Sequence, residues 1–135
     1  MKITDKKNTL LNSEISYIIS TMGHTDMLVI GDAGLPIPDS TERVDLALVR
    51  GVPGALETLQ AVLSELQVER VILAHETQTV NPQFEADVRG MLPGVQVDFV
   101  THEDLKRLSA RARAVVRTGE CKPYANVILV SGVAF

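Results

Sequence analysis

Apolar positions along this chain recur in two periods, and the alternation between the two predicts the fold class. Ile15, Ile18, Ile19 and Met22 follow the i, i+3, i+4, i+7 spacing of one helix face. Asn12 or Ser13 can cap that helix, and Gly23 reads as the left-handed residue that closes it. Met27 to Gly31 is a short continuous apolar run, as a buried strand makes. Val44, Leu46 and Leu48 alternate with Asp45 and Ala47, which predicts a second strand. The turn Gly51-Val52-Pro53-Gly54 leads to a helix carrying Leu56, Leu59, Val62, Leu63 and Leu66, and Val71 to Ala74 is a third strand. Asn81-Pro82 supplies a cap with proline at the first helical position, opening a helix through Phe84 and Val88. Pro93-Gly94 is a turn, after which Val95, Val97 and Phe99 alternate as a fourth strand. Thr101 caps a short helix whose first turn holds Glu103 and Asp104, where the helix dipole favours acids. Val115-Val116 and Val127 to Val130 are the last strand candidates, flanking the loop Gly119-Glu120-Cys121-Lys122-Pro123.

Strands alternating with helices predict an α/β protein, a three-layer α/β/α arrangement with a single central sheet covered on both faces. The strand from Val44 and the closing pair near the C-terminus are expected to make that sheet mixed rather than purely parallel. No linker, internal repeat or low-complexity segment interrupts the pattern, so residues 1–135 are expected to form one domain. A chain of this length buries roughly two-thirds of its unfolded surface, enough for a normal core.

Composition removes several functional classes. The formal net charge is −4, and no basic cluster is denser than Lys106-Arg107 or the spaced Arg111, Arg113 and Arg117. Nucleic acid is not an expected partner, because phosphate binding needs a basic face. Tryptophan is absent and aromatics are 4%, which argues against a base-stacking platform. Cys121 is the single cysteine and cannot form an internal disulfide, which suits a reducing compartment. Met1 to Asn8 is polar and lysine-bearing, and the longest apolar runs are strand-sized. Neither a signal peptide nor a membrane span is expected, and a cytoplasmic location is.

The candidate chemistry centres on the first strand. His24 and Asp26 precede it, and Asp32 follows it in the loop Gly31-Asp32-Ala33-Gly34-Leu35-Pro36-Ile37-Pro38. Ligands of open α/β sheets bind just past the carboxyl ends of strands, where Asp32 falls. A histidine exchanges protons near neutral pH, and Asp26 could orient it. From position alone the plainer readings are a loop histidine making one backbone bond and an Asp32 that bonds local turn amides. Because a strand rises about 3.3 Å per residue, His24 and Asp32 are not neighbours along it. Loops, or a second copy of the chain, must bring them together. His102 and Lys106 share a helix face, and Tyr124-Ala125-Asn126 offers a hydroxyl and an amide suited to a polyhydroxylated ligand. The alternatives are a solvated face and the start of an edge strand. There is no phosphate cradle, nucleophile elbow or paired-cysteine or His-x-x-x-His signature, so no cofactor and no metal is expected.

Taken in order, Leu11 to Ser16, Gly23 to Asp26, Asp32 to Pro38, Gly51 to Pro53, Thr101 to Glu103 and Gly119 to Asn126 resemble the ribose pyranase and fucose mutarotase family, from Leu11 to Phe135. The Gly34-Leu35-Pro36 step favours the ribose branch, since Asn-Phe-Pro is expected in the fucose branch. The resemblance implies an isomerase that interconverts the pyranose and furanose rings of D-ribose by general acid/base ring opening. It implies His24 as catalytic proton donor, and Asp32, His102, Tyr124, Asn126 and the backbone of Ala125 as sugar-binding positions, with Lys106 near the site. It further implies pentameric rings paired as a homodecamer, with sites between adjacent subunits. Two departures are the longer start at Lys6 to Thr9 and the presence of His75. Competing readings are a mutarotase for another monosaccharide such as fucose, a non-catalytic sugar-binding accessory to ribose uptake, and a metal-dependent lyase or hydrolase using His24, His75 and His102.

Overall fold

In a computed structural model, residues 10–133 are described; the polar start through Thr9 and the terminal Phe135 lie outside them. Helix α1 spans Ser13–Thr21, and the Asn12 side chain caps it by accepting from the Ile15 N–H. Such a cap contributes about 1 kcal/mol. Gly23 does not close the helix in the left-handed region as expected. Met22 turns into extended backbone instead, the Gly23 N–H is taken by Asp26, and Thr25 adopts the positive φ of 73°.

Strand β1 (Met27–Gly31) follows, and then β2, which runs only over Arg43–Asp45 and not on to Leu48. The Asp45 carboxylate accepts from the Ala47 N–H and turns the chain away from the sheet. Helix α2 is Ala55–Leu63, and β3 runs from Val68 to Ala74. It passes directly into α3, His75–Val80, which the sequence did not announce: its only large apolar residue is the exposed Val80. Asn81 caps α4 (Pro82–Met91) by accepting from the Phe84 N–H. Strand β4 (Gln96–Val100) leads to α5 (His102–Ser109), capped by Thr101 through the Asp104 N–H. Strands β5 (Ala114–Arg117) and β6 (Val127–Ser131) complete the chain.

The six strands form one mixed sheet in the order β2-β5-β1-β6-β3-β4. Strand β1 is parallel to β5, β5 to β2, and β3 to β4, while β6 is antiparallel to both β1 and β3. The mixed character therefore comes from β6 alone. Alternation divides the core in two. Leu28, Ile30, Val71, Leu73, Val127 and Leu129 face Ile15, Ile18, Leu59, Val62 and Phe84 of α1, α2 and α4. Val29, Ile72, Val115, Ile128 and Val130 face Leu105 of α5 and Leu35. The result is a three-layer α/β/α fold. Because β6 runs against its neighbours, its leading end lies on the same sheet edge as the carboxyl ends of the other five strands.

Candidate active site

That carboxyl edge collects almost every residue singled out in the sequence. Asp32 follows β1, His102 opens α5 after β4, and Tyr124, Ala125 and Asn126 lead into β6. The Asp32 N–H donates to Asn126 Oδ1 at 2.7 Å, and Asp32 Oδ1 accepts from the Gly34 N–H at 3.0 Å. The His102 ring meets Tyr124 edge-on, centroids 5.0 Å apart at 85°. Tyr124 holds the positive φ of 53°, and a bulky residue there costs on the order of 1–3 kcal/mol. The Thr77 hydroxyl donates to its carbonyl oxygen, and Asn81 donates to that of Pro123, so α3 and the start of α4 clamp the strained segment.

Two further features suit the cluster to a polar ligand. His102 Nδ1 and Asn126 Nδ2 are buried with no hydrogen-bond partner on the chain. Buried polar atoms are normally paired, and a hydroxyl-bearing ligand would satisfy both. Burial raises the Asp32 carboxyl above its ordinary range, against the Gly34 N–H, which acts to lower it. Ala125 is buried within this segment. Lys106 pairs with Glu103 at 2.7 Å, one turn along α5. Sequence reasoning missed Glu76 and Thr77: Glu76 Oε1 accepts from the His102 N–H at 3.0 Å and so fixes the start of α5. The acidic step directly after the third strand was the signal for Glu76.

His24 is not in this cluster. It precedes β1, so it lies on the opposite edge of the sheet, and no loop carries it back to Asp32. A groove of ≈ 380 Å³ surrounds it, lined among others by Met22, Leu66, Ser131 and Gly132. Nor does Asp26 orient it: the Asp26 carboxylate accepts from the Gly23 N–H and from Arg113, which lower its pKa. The group that meets His24 is Glu69, with Oε1 2.7 Å from Nε2. His75 stacks on Phe99, centroids 5.8 Å apart. Among the described residues no three His, Cys, Asp or Glu side chains are grouped to hold a metal, and His24 is separated by the sheet from His75 and His102. Within one chain the three histidines of the metal reading therefore do not converge.

A family model described as the RbsD / FucU transport protein family matches residues 5–134. A D-ribose pyranase of Clostridium perfringens is 56% identical over 130 residues, covering 96% of this chain and 99% of that one. One from Aliivibrio fischeri is 50% identical over 138 residues with the same coverage. Among solved structures, Bacillus subtilis RbsD complexed with D-ribose matches with a TM-score of 0.92 at 41% identity, covering 96% of this chain and 99% of that chain. A fucose mutarotase in complex with L-fucose from Streptococcus pneumoniae gives a TM-score of 0.83 at 22% identity, covering 98% and 100%, a likeness of fold alone.

Proposed function

Since the chain belongs to the RbsD / FucU transport protein family, we propose that it is a D-ribose pyranase, an isomerase that interconverts the pyranose and furanose forms of ribose. The pair of unpartnered buried nitrogens beside Asp32 and Tyr124 carries this reading, because a neutral, hydroxyl-rich ligand supplies what they lack. The similarity to ribose pyranases over nearly the whole chain supports ribose as that ligand.

The reaction needs no redox step. The hemiacetal opens when the ring oxygen gains a proton and the anomeric hydroxyl loses one; the aldehyde rotates, and another hydroxyl attacks the carbonyl. His24 donates and retrieves the proton, a contribution of about 10²–10⁴-fold for a well-placed group. Asp32, His102, Tyr124 and Asn126 grip the sugar, Ala125 contributes through its backbone, and Lys106 stands nearby. Because His24 and Asp32 occupy opposite sheet edges, a complete site joins two chains, one edge of each. Such a contact pairs unlike surfaces and forms a ring where the rotation between neighbours closes; the family resemblance implies pentamers paired as a decamer. Exposed Leu48, Val49 and Val52, on the loop after β2, are the kind of apolar surface a neighbour covers. No described helix is long and apolar enough to cross a membrane. We place the enzyme in the cytoplasm, supplying ribose for phosphorylation and catabolism.

Magnetisation-transfer NMR on D-ribose tests this reading. Faster pyranose–furanose exchange that disappears in His24→Ala is expected. Acceleration on L-fucose but not on ribose would assign another sugar, and saturable ribose binding without acceleration would make the chain a binding accessory.

A further inference from the structure

We propose that Glu69 is a positioning residue for proton transfer: it holds the His24 ring through Nε2 and so makes Nδ1 the nitrogen that meets the sugar. The proposal rests on the reading of His24 given above. An ionised carboxylate can only accept hydrogen bonds, so at 2.7 Å the proton between the two belongs to Nε2. The other nitrogen is left for the substrate.

The backbone is shaped to make this pair. Val68 is paired with Ser131, but the next pairing is Arg70 with Val130, so Glu69 is the additional residue of a β-bulge. Bulges re-aim a side chain, and they recur beside active sites. Across the bulge stands Gly132, whose N–H donates to the Gln67 carbonyl; a Cβ on Gly132 would come within 3.2 Å of Glu69 Cβ. The histidine loop is referenced to the same strand end: Thr25 N–H donates to the Ser131 carbonyl at 2.9 Å. Thr25, next to His24, carries a positive φ that a β-branched residue adopts only when its surroundings impose it. Acid and imidazole are thus fixed independently to the end of β6, with their facing atoms in contact.

The proton balance shows what the contact accomplishes. Nδ1–H of the imidazolium protonates the ring oxygen, and the electron pair of the breaking C–O bond goes to that oxygen. The anomeric O–H pair becomes the carbonyl bond, and its proton returns to Nδ1. Throughout, Nε2–H keeps donating to the Glu69 carboxylate, so the ring keeps its aim while Nδ1 gives and takes the proton.

Glu69→Ala and Glu69→Gln test the assignment in the full chain by ribose exchange and by long-range ¹H–¹⁵N spectra of the imidazole nitrogens. Misplacing a reacting group costs up to about 100-fold, so Glu69→Ala is expected to lower kcat roughly 10- to 100-fold with KM within about twofold, and Glu69→Gln less. In the wild type, ribose should move the Nδ1 resonance of His24 while Nε2–H persists; in Glu69→Ala the Nε2–H signal should be lost. A Glu69→Ala enzyme with wild-type kcat, or ribose acting on Nε2, overturns the proposal. If His24→Ala is inactive while Glu69→Ala is fully active, only the positioning role fails. If His24→Ala keeps wild-type exchange, the reading of His24 fails instead, and this proposal with it.

Discussion

Co-expressing two inactive variants asks directly whether the active site is shared between chains. Strand β1 runs from Met27 to Gly31, and its four steps alone separate the two edges by roughly 13 Å. His24 and Asp32 lie beyond those ends, so a side chain on one cannot reach a ligand held by the other within one chain. A His24→Ala chain keeps an intact Asp32 edge, and an Asp32→Asn chain keeps an intact His24 edge. If each site takes His24 from one chain and Asp32 from the next, equal random mixing rebuilds about a quarter of the sites with both wild-type residues. If one chain supplied both, mixing would rebuild none. Ribose exchange is measured by magnetisation transfer on each homomer and on the co-expressed assembly, at equal total protein. Activity near one quarter of wild type, from parents that each show almost none, is the expected result. A mixed assembly no more active than its parents would refute the argument from the two edges.

Three further outcomes follow from particular atoms. Burial raises the Asp32 carboxyl in the folded chain above its unfolded value. Its contribution to stability is therefore complete below the ordinary carboxylate pKa and is lost as pH rises through the folded value. Asp32→Asn should have a higher Tm than the wild type at pH 7 and a shrinking difference toward pH 3, while losing ribose binding; an equal difference at both pH values would contradict the burial argument. Asn126→Ala leaves the Asp32 N–H without its acceptor and should cost about 1–3 kcal/mol in denaturant unfolding, together with ribose affinity. At Gly119 a Cβ would lie 2.5 Å from the Val52 carbonyl oxygen and 2.6 Å from that of Val49. Backbone cannot step aside as a flexible side chain does, so Gly119→Ala should destabilise by about 1–3 kcal/mol or more, read by thermal unfolding.

What the sequence revealed was local. The Asn81-Pro82 and Thr101 caps, the strand ending at Gly31 and the turn at Gly94 depend on residues within a few positions, and each appears where it was expected. Gly23 misled because an acid three residues on competed for its N–H. Strand β2 stopped early because Asp45 bonds its own chain two residues later, a turn that apolar alternation through Leu48 obscures. Helix α3 has no apolar period to detect. Glu69 was invisible for a different reason: its direction depends on the register between β3 and β6, segments about sixty positions apart, and no local pattern encodes a bulge.

The reversed strand also explains why the site residues are so scattered in sequence. In a purely parallel sheet only the loops after strands reach the carboxyl edge, and the segment entering a strand lies on the far side. By running against β1 and β3, β6 brings Tyr124, Ala125 and Asn126 to the edge that holds Asp32 and His102. Its other end, at Ser131, anchors the His24 loop and faces the bulge that aims Glu69. One strand of five residues therefore borders both groups of candidate residues while keeping them on opposite edges of the sheet. Within a single chain that separation keeps His24 away from Asp32 and His102. On the proposed reading, a site that needs both edges is completed by a contact between unlike edges of two chains, and the mixed-variant assay decides whether that contact carries the activity.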